Sequence, residues 1–457
     1  MKLRHLVFLL VFALPAWSQE RVAGCLFDPA RSDSVPFATP LMRGDYETPS
    51  AASLKPFCPT PKDQGNTGTC TAWAAAYAAR TILMAQQRNL TLPYFVDKIA
   101  FSPSFIYNQI RGNQGCQHGT YLVDALFTLK SVGAIFYSEF GFDCSKQVGF
   151  EYRLRARKHA IQDYRRLFSA REAADRSAIV RYIKKALAEG KPVVTAIRYL
   201  PSLDKAKGVW SPLPQESSHY YHAVTVVGYD DKQYGGAFEL MNSWGTEWGN
   251  SGFIWVKYED FQSLCMEAYE MIDFPAKEVP SEKESFRASV VLKQHNGNIM
   301  KLSGYKGQYQ TVATYSAGTR FQMQLFSQEA MYVYAFGIDS QDQFSQLFPT
   351  RVNQSPLISY ARAHFILPAE DLFIEMDNAS GSEYLCLLFS RTAVDLWKLM
   401  QRMQQLRGAP FQRFKQALQE HNLLSNSDLI KYQTAAADFA ATTKIQAVPI
   451  IIEIRRP

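Results

Sequence analysis

Apolar residues in the first half of the chain recur at helical spacing before they recur at strand spacing. Residues 70–88 carry alanine, leucine and methionine on nearly every helical face, which predicts a helix buried in the centre of a domain. Two further helices are predicted over 101–110 and 121–131, and a polar, helix-prone insert over 150–188. The basic clusters of that insert, 157–159 and 165–166, are predicted to lie on solvated helix faces.

Strand-like runs follow these helices. They cover residues 191–197, 222–229, 238–242 and 253–257. Helices first and strands afterwards predict an α+β unit over residues 54–274, with one helical and one sheet-based subdomain.

The pattern changes again near residue 275. Residues 275–287 are charged and contain prolines, which predicts a linker. Apolar or alternating runs beyond it predict strands at 288–292, 321–326, 332–338, 372–376, 384–389 and 448–454, and helices at 393–406 and 411–424. We therefore expect a separate β-rich accessory domain with C-terminal helices over residues 288–457.

Composition and charge exclude several classes of protein. The chain has 457 residues, of which 47% are hydrophobic, and this length suits about two to four globular domains. Its net charge of +7 is mild and is not gathered in a dense basic run, so no nucleic-acid partner is expected. No stretch is long and apolar enough for a membrane span, and no Cys/His spacing indicates a metal or another cofactor.

The N-terminus has the pattern of an export signal. A basic start precedes an apolar run over residues 6–14, and a small-x-small site at 16–18 places cleavage before Gln19. We therefore predict a signal peptide over 1–18, an extended arm over 19–53 and a periplasmic or extracellular location in a bacterium. Residues 22–25 superficially resemble a lipoprotein acylation box, but Glu20 and Arg21 separate them from the apolar run, which disfavours anchoring.

Cys70 is the first candidate for chemistry. It follows a glycine-rich turn, residues 62–69, at the start of the predicted central helix. A thiol attacks a carbonyl group as the thiolate, and both a helix N-terminus and a nearby imidazolium favour the thiolate. The alternative interpretation is a tightly packed core helix with an incidental cysteine.

His222 and Asn242 are candidates for a base and for the group that orients it. His222 begins an apolar strand that fixes its ring, whereas His219 lies in the preceding loop and is the second choice. Asn242 ends a strand, and an amide acceptor orients an imidazole. Trp244 follows in a glycine-rich turn, where it is suited to shield that hydrogen bond from water. Taken alone, Asn242 is equally compatible with a purely structural role in a turn, and Trp244 with a place in the hydrophobic core.

Together these residues resemble the papain family of cysteine peptidases. The turn containing Gln64, Gly65, Gly68 and Cys70 is similar to the family's nucleophile motif. Residues 222–229 are similar to its histidine motif, and residues 242–252 to its asparagine motif. The resemblance covers about residues 54–274. It implies a papain-like two-subdomain α+β fold and a thiol endopeptidase that hydrolyses peptide bonds through Cys70, His222 and Asn242.

The resemblance also implies subsidiary roles. Gln64 would supply one oxyanion-hole donor, and the backbone N–H of Cys70 the other. Residues 115–119 resemble the loop that hydrogen-bonds the substrate backbone, with Gly119 as the contacting glycine and His118 at the pocket rim. The partner implied is a polypeptide substrate.

Some positions depart from the family's pattern. Thr71 stands where the family has a tryptophan, and Thr67 where it has a cysteine paired to the substrate loop. Cys116 therefore needs another partner, and we infer a disulfide with Cys144. The family's long helical inhibitory propeptide has no counterpart in residues 19–53. The sequence therefore does not indicate how the peptidase activity would be inhibited. Two other cysteines have apolar neighbours and are expected to be buried free thiols, Cys265 and Cys386.

The C-terminal part carries a weaker resemblance. Residues 332–339, 347–349 and 381–384 resemble an uncharacterised β-rich domain appended to exported bacterial peptidases and kinases. A role in binding a surface or protein partner follows from analogy alone. Two functions stay open for the whole chain, an exported thiol endopeptidase and a catalytically inactive papain-like scaffold that binds peptides or a cell-surface partner. Acyl transfer to an amine by the same Cys–His pair is a third.

Overall fold

Three β-sheets build the protein. The structure is a computed structural model that describes residues 23–38, 48–169, 176–273, 286–350, 354–358, 363–368, 372–378, 381–424, 430–432, 437–442 and 445–457. One ten-stranded sheet is formed by strands between residues 25 and 272, and two seven-stranded sheets by strands between 286 and 454. The predicted signal peptide and residues 275–285 of the predicted linker lie outside the described residues.

One continuous helix forms the centre of the N-terminal unit. It begins at Cys70, passes through a π-helical stretch and ends at Gln87, close to the predicted 70–88. Its alanines pack closely against the neighbouring helices, whereas Trp73 and Tyr77 face the core under the sheet. The helices of this unit are α1 (Pro29–Ser34), α2 (Cys70–Ala72), a π-helix (Trp73–Arg80), α3 (Thr81–Gln87), α4 (Pro93–Lys98), α5 (Pro103–Ile110), α6 (Leu122–Ser131), α7 (Tyr137–Phe140), α8 (Phe150–Ala156), α9 (Ser177–Ala188) and α10 (Tyr258–Leu264), with 3-10 turns at Lys55–Phe57, Arg157–His159, Pro201–Lys205 and Gln233–Gly235.

The ten-stranded sheet packs on the other side of the central helix. Its strands are β1 (Cys25–Leu26), β2 (Ala51–Ser53), β3 (Thr120–Tyr121), β4 (Asp163–Ser169), β5 (Val193–Arg198), β6 (Val209–Trp210), β7 (Tyr221–Asp230), β8 (Ala237–Met241), β9 (Phe253–Lys257) and β10 (Cys265–Ile272). The main order is β4-β10-β5-β7-β8-β9-β6, with β1 and β2 added to β7 and β3 to β1. The α+β prediction is therefore confirmed, with one helical and one sheet layer. Strand β10 was not predicted, because its two glutamates interrupt the apolar run.

The predicted extended arm is partly wrong, because it contains helix α1. Asp28 caps that helix, with its Oδ1 accepting from the backbone N–H of Ala30 at 2.8 Å. Pro29 occupies the first helical position, where its missing N–H costs nothing. A cap followed by proline is a local signal for a helix start, and the absence of longer periodicity concealed it.

The predicted solvated helix at residues 165–166 is wrong. Both arginines lie in strand β4, with 1% of Arg165 and 2% of Arg166 exposed. Arg165 pairs with Glu270 at 2.8 Å, and Arg166 pairs with Asp33 at 2.9 Å. Buried charges need such partners. The partners come from β10 and from the arm, so residues distant in sequence decided the burial of these arginines.

The C-terminal region is a two-sheet sandwich with two helices on one outer face. Its strands are β11 (Phe286–Gln294), β12 (Ile299–Met300), β13 (Leu302–Tyr305), β14 (Gln308–Thr311), β15 (Arg320–Ser327), β16 (Met331–Ile338), β17 (Phe344–Phe348), β18 (Leu357–Ile358), β19 (Ala363–Leu367), β20 (Ile374–Glu375), β21 (Glu383–Ser390), β22 (Ile430–Tyr432), β23 (Ala437–Ala441) and β24 (Ala447–Ile454), and its helices are α11 (Leu396–Gln405) and α12 (Pro410–Glu420). The sheets have the orders β19-β15-β11-β23-β22 and β13-β14-β24-β21-β16-β17. The two sheets share one apolar core, where Phe439 contacts Phe286 and Phe389 at centroid distances of 5.4 and 5.2 Å.

The β-rich prediction for this region is confirmed, and both predicted helices are present. The predicted strand 372–376 shortens to β20, and short strands such as β13, β14 and β22 were not predicted. A strand of two to four residues is too short to show a period.

Candidate active site

Cys70 lies at the first position of the central helix and is fully buried. The turn before it approaches the loop 115–119 so closely that Gly68 has no room for a side chain. A Cβ there would stand 2.5 Å from the carbonyl oxygen of His118. The N–H of Gly68 donates to the carbonyl of Cys116 at 2.8 Å, which fastens the two loops together. This contact fixes the position of the thiol at the helix start.

The electrostatics of Cys70 differ from the sequence prediction. Burial raises the pKa of its thiol to about 11, although hydrogen bonds from the backbone of Ala223, Gly24 and Thr71 oppose that rise. The helix N-terminus was expected to lower this pKa. Removal of the sulfur from water has the larger effect here. Cys70 is therefore predominantly a thiol at neutral pH in this conformation.

His222 lies at the second position of strand β7 and is fully buried. Its Nε2 lies 2.7 Å from Oδ1 of Asn242, the residue that follows strand β8. The N–H of Ser243 donates to the same Oδ1 at 2.7 Å, so the amide oxygen faces the ring. Ala223, the next residue after His222, hydrogen-bonds through its backbone to the sulfur of Cys70. The structure thus brings Cys70, His222 and Asn242 into one site.

Trp244 covers the hydrogen bond between His222 and Asn242. Its ring lies 4.7 Å from the His222 ring at an angle of 32°, and only 2% of it is exposed. Trp248 packs edge-on against Trp244 at 5.2 Å and donates from Nε1 to the carbonyl of Leu203 at 2.9 Å. The two tryptophans exclude water from this side of the ring, as the sequence suggested for Trp244.

Gln64 joins the nucleophile turn to the asparagine turn. Its Oε1 accepts from the hydroxyl of Ser243 at 2.6 Å, and its Nε2 donates to the carbonyl of Thr67 at 2.6 Å. Its backbone N–H donates to the carbonyl of Ser243 at 2.8 Å. These hydrogen bonds distinguish the amide oxygen of Gln64 from its nitrogen. Nε2 therefore faces the turn that leads into Cys70, and Oε1 faces Ser243.

The departures from the family's pattern have local replacements. The hydroxyl of Thr67 donates to the carbonyl of Gln64 at 2.7 Å and contacts the hydroxyl of Thr69. Thr71, in place of a tryptophan, is buried and hydrogen-bonds to the hydroxyl of Thr120. These side-chain hydrogen bonds stabilise the turn before Cys70 and join the start of the central helix to strand β3, where the usual cysteine and tryptophan are missing.

The loop of residues 115–119 lies against the turn that precedes Cys70. Cys116 is joined to Cys144 by a disulfide with a Cα–Cα distance of 5.6 Å, the pair inferred from sequence. Gly119 packs against Gly24 and the side chain of Leu26, and His118 is exposed. His219 is also exposed and is not part of the buried cluster around Cys70. Two cysteines expected to be buried free thiols, Cys265 and Cys386, have that state.

Sequence reasoning missed residues of the arm that reach the site. Cys25 is buried, and the backbone of Gly24 hydrogen-bonds to the sulfur of Cys70. Glu267 of strand β10 is 2% exposed, and its carboxylate accepts from the hydroxyl of Tyr269 at 2.5 Å. Burial raises the pKa of Glu267 to about 7. The small residues before Cys25 are the local sequence feature at this contact. Their pattern resembles an acylation box and gives no indication that this segment packs against Cys70.

Among the described residues, no group of three or more His, Cys, Asp or Glu is placed to hold a metal ion. In the same part of the chain, no helix has the length and apolar character for crossing a membrane.

Two family models match this chain. The first, papain family cysteine protease, matches residues 52–272. The second is described as a domain of unknown function, DUF4384, and matches residues 314–393. Residues 52–272 therefore form a papain-family cysteine protease domain with the fold that the motifs implied, and a distinct appended domain follows it.

Curated relatives match the same region. Cathepsin K of Gallus gallus is 26% identical over 239 residues, which are 52% of this chain and 63% of that protein. Cathepsin J of Mus musculus is 30% identical over 213 residues, 45% of this chain and 58% of that protein. Xylellain, a cysteine protease from Xylella fastidiosa, is a solved structure with 21% identity and a TM-score of 0.45 over 56% of this chain and 97% of its own. The chain thus spans about three fifths of the length of these cathepsins.

Proposed function

We propose that this protein is an exported cysteine endopeptidase. The observation that carries the proposal is the buried His222–Asn242 hydrogen bond under Trp244, adjoining the thiol at a helix start. A nucleophile, a base and an orienting amide in this arrangement are the parts required for acyl transfer through a thioester.

Acylation begins with proton transfer from Cys70 to His222. Because Nε2 donates to Asn242, Nδ1 is the ring nitrogen that takes the thiol proton. The thiolate then attacks the scissile carbonyl carbon, and the carbonyl π electrons move onto oxygen. When this intermediate collapses, the C–N bond breaks, the amine leaves with the proton from His222 and a thioester remains on Cys70. Water, deprotonated by His222, then attacks the thioester and releases the acid and the thiol.

Gln64 and the backbone N–H of Cys70 act on the charge that develops at oxygen. Donors aimed at such an oxyanion are worth about 3–4 kcal/mol each. The bonds from Gln64 to Thr67 and Ser243 preorganise its amide, which limits the reorganisation needed during the reaction. Gly119 and His118 are proposed to line the cleft and to contact the substrate, together with Trp244.

Export is supported by the N-terminal signal pattern and by the disulfide, since disulfides persist in oxidising compartments. We place the protein in the periplasm or outside a bacterial cell. The domain over 288–457 is proposed to position the peptidase against a surface or a protein partner. None of the described residues of that domain supplies a nucleophile–base pair like Cys70 and His222.

The discriminating experiment is covalent labelling followed by turnover. An epoxide peptide probe should label Cys70 in the chain, and Cys70→Ala should abolish both labelling and cleavage of a mixed peptide library. Mass spectrometry of the products separates hydrolysis from acyl transfer to an amine. A folded protein that binds peptides but neither labels nor cleaves them would support the inactive scaffold instead.

A further inference from the structure

A cleft of about 580 Å³ opens at one end of the C-terminal sandwich. Three segments build it: the turn from β16 into β17 (residues 338–342), the start of β21 (residues 381–384) and the connection from α11 into α12 (residues 406–413). The first two lie side by side, because Ile338 of β16 pairs with Tyr384 of β21. Clefts of roughly 300–1,000 Å³ are typical of small-molecule sites. This cleft therefore has the size of a ligand site, and its lining belongs to the C-terminal domain.

The turn between β16 and β17 is held in one shape by Asp339. Its Oδ1 accepts from the backbone N–H groups of Gln341 at 2.9 Å and Gln343 at 2.8 Å. The backbone N–H of Asp342 donates to the carbonyl of Asp339 at 3.0 Å. Asp342 has a φ of 61°, a left-handed conformation that aspartate tolerates better than most residues. The turn thus presents the Asp342 carboxylate at a fixed point of the cleft wall.

Arg413 of α12 binds that carboxylate. Its Nη1 donates to Oδ2 of Asp342 at 2.8 Å, and its Nη2 donates to Oδ1. Arg413 is only 5% exposed and is the single charged residue buried in the described part of this domain, whereas the Asp342 side chain is 54% exposed. A pair joined by two hydrogen bonds fixes the geometry of both groups. Each carboxylate oxygen has a second lone pair, so Asp342 can accept a further hydrogen bond from a ligand.

The charged groups that line the cleft balance one another. They are two aspartates and two arginines: Asp339, Asp342, Arg407 and Arg413. The carboxylates would repel an anionic ligand, and the guanidinium groups would repel a cationic one. A neutral ligand that both donates and accepts hydrogen bonds meets neither penalty, and hydroxyl groups do both. Two serines, Ser340 and Ser382, extend the polar lining.

Apolar surface lies beside these polar groups. It comes from the half-buried side chains of Tyr384, Leu406 and Pro410. Tyrosine combines an aromatic face with a hydroxyl group. Small-ligand sites commonly pair apolar walls with a few polar groups that fix orientation. A sugar ring matches this lining, because it carries hydroxyl groups around its edge and C–H groups on its faces.

We propose that this cleft binds a neutral saccharide, with Asp342 accepting from sugar hydroxyl groups and Arg407 donating to them. The appended domain thereby brings the papain-family domain to a glycan-bearing surface. The inference rests on the positioning role proposed above for residues 288–457 and names the class of partner. It does not depend on the peptidase chemistry, because the cleft is lined by the C-terminal domain.

Isothermal titration of the full chain with tetrasaccharides of different charge tests the assignment. The neutral set contains the tetramers of glucose, mannose and N-acetylglucosamine. The glucosamine tetramer is the cationic probe, and the galacturonate tetramer is the anionic probe. At least one neutral tetramer should bind, with an affinity at least about tenfold higher than that of either charged probe. Binding of a charged probe alone, or of none of the five, would overturn the neutral-saccharide site.

Two variants shift the charge balance of the cleft in opposite directions. Arg407→Ala removes an exposed donor and should weaken neutral binding about threefold to tenfold. Lys301→Ala is its control, because it removes the same charge at an exposed position outside the cleft. Asp342→Ala leaves Arg413 without its carboxylate, so it should weaken neutral binding and strengthen binding of the galacturonate tetramer. Arg407→Ala carries the test if Asp342→Ala does not fold, and unchanged neutral binding in Arg407→Ala would contradict the assignment.

Two further readouts separate this inference from the proposed function. Arg407→Ala should cleave a short peptide at the rate of the unsubstituted chain, and Cys70→Ala should bind the neutral tetramer with unchanged affinity. Saccharide binding without cleavage by the unsubstituted chain would support the cleft and contradict the peptidase, and cleavage without saccharide binding would do the reverse. If a tetramer binds but the chain does not sediment with cellulose, mannan or chitin particles, the saccharide site stands and the positioning role fails.

Discussion

The papain-family domain and the C-terminal domain both contain well-packed cores, but they bury different side chains. The described part of the first buries His222, Glu267, Glu270, Arg165 and further polar groups, each with partners across the sheet or the cleft. In the described part of the second, Arg413 is the single buried charged residue, and the sandwich core is aliphatic and aromatic. Burying a charged group costs free energy. Buried ionisable groups with shifted pKa values are therefore concentrated at functional sites. The difference indicates that chemistry belongs to the first domain and packing to the second.

The largest expected effect comes from replacing each of the two neighbouring histidines, His219 and His222, by alanine. His222→Ala should reduce kcat/KM on a peptide by at least about 10⁴-fold, because the base and its Asn242 contact are lost together. His219→Ala, at an exposed loop position, should change it by less than about twofold. Kinetics of both variants beside the unsubstituted chain check this ranking, and the reverse order would reassign the base.

A core substitution in the second domain should affect stability without removing chemistry. Phe389→Ala empties a fully buried site between the two sheets and should lower that domain's free energy of unfolding by about 3–5 kcal/mol. Urea unfolding followed by domain-specific hydrogen exchange measures the loss. Cleavage of a small peptide should persist, and its disappearance would place part of the active site in the C-terminal domain.

Gln64 provides a smaller and more selective effect inside the cleft. Gln64→Ala should lower kcat by about 100-fold, since one oxyanion donor is removed. Alkylation of Cys70 should remain nearly unchanged, because the donor does not create the thiolate. Parallel loss of alkylation would instead indicate that Gln64 supports the structure of the nucleophile turn through Ser243.

The pH dependence of stability provides the mildest test. The folded-state pKa of Glu267 is raised from 4.5 to about 7 by burial, so the folded protein retains its proton where the unfolded chain has lost it. The free energy of unfolding should therefore fall by roughly 3 kcal/mol as the pH rises from about 4.5 to 7. Glu267→Gln should remove that slope, measured by denaturant titrations at several pH values. Identical slopes in both chains would contradict the assignment.

Much of the site was accessible from sequence because its residues occur in local motifs. Cys70 follows a turn that only certain residues can form, and Asn242 precedes a glycine-rich turn with two tryptophans. The central helix and the strands β7, β8 and β9 followed from spacing, because each is long enough to show a period. These features are determined by residues close together in the chain.

The remaining features were decided by tertiary structure. The burial of Arg165 and Arg166 depends on carboxylates from β10 and the arm, which no local pattern reveals. Burial of the Cys70 sulfur raises its pKa, and backbone hydrogen bonds from residues as distant in sequence as Gly24 and Ala223 oppose that rise. The sequence by itself determined which side chains can perform the chemistry. Only the folded chain decided that Cys70, Arg165 and Arg166 are buried, because solvation depends on atoms brought together from distant positions.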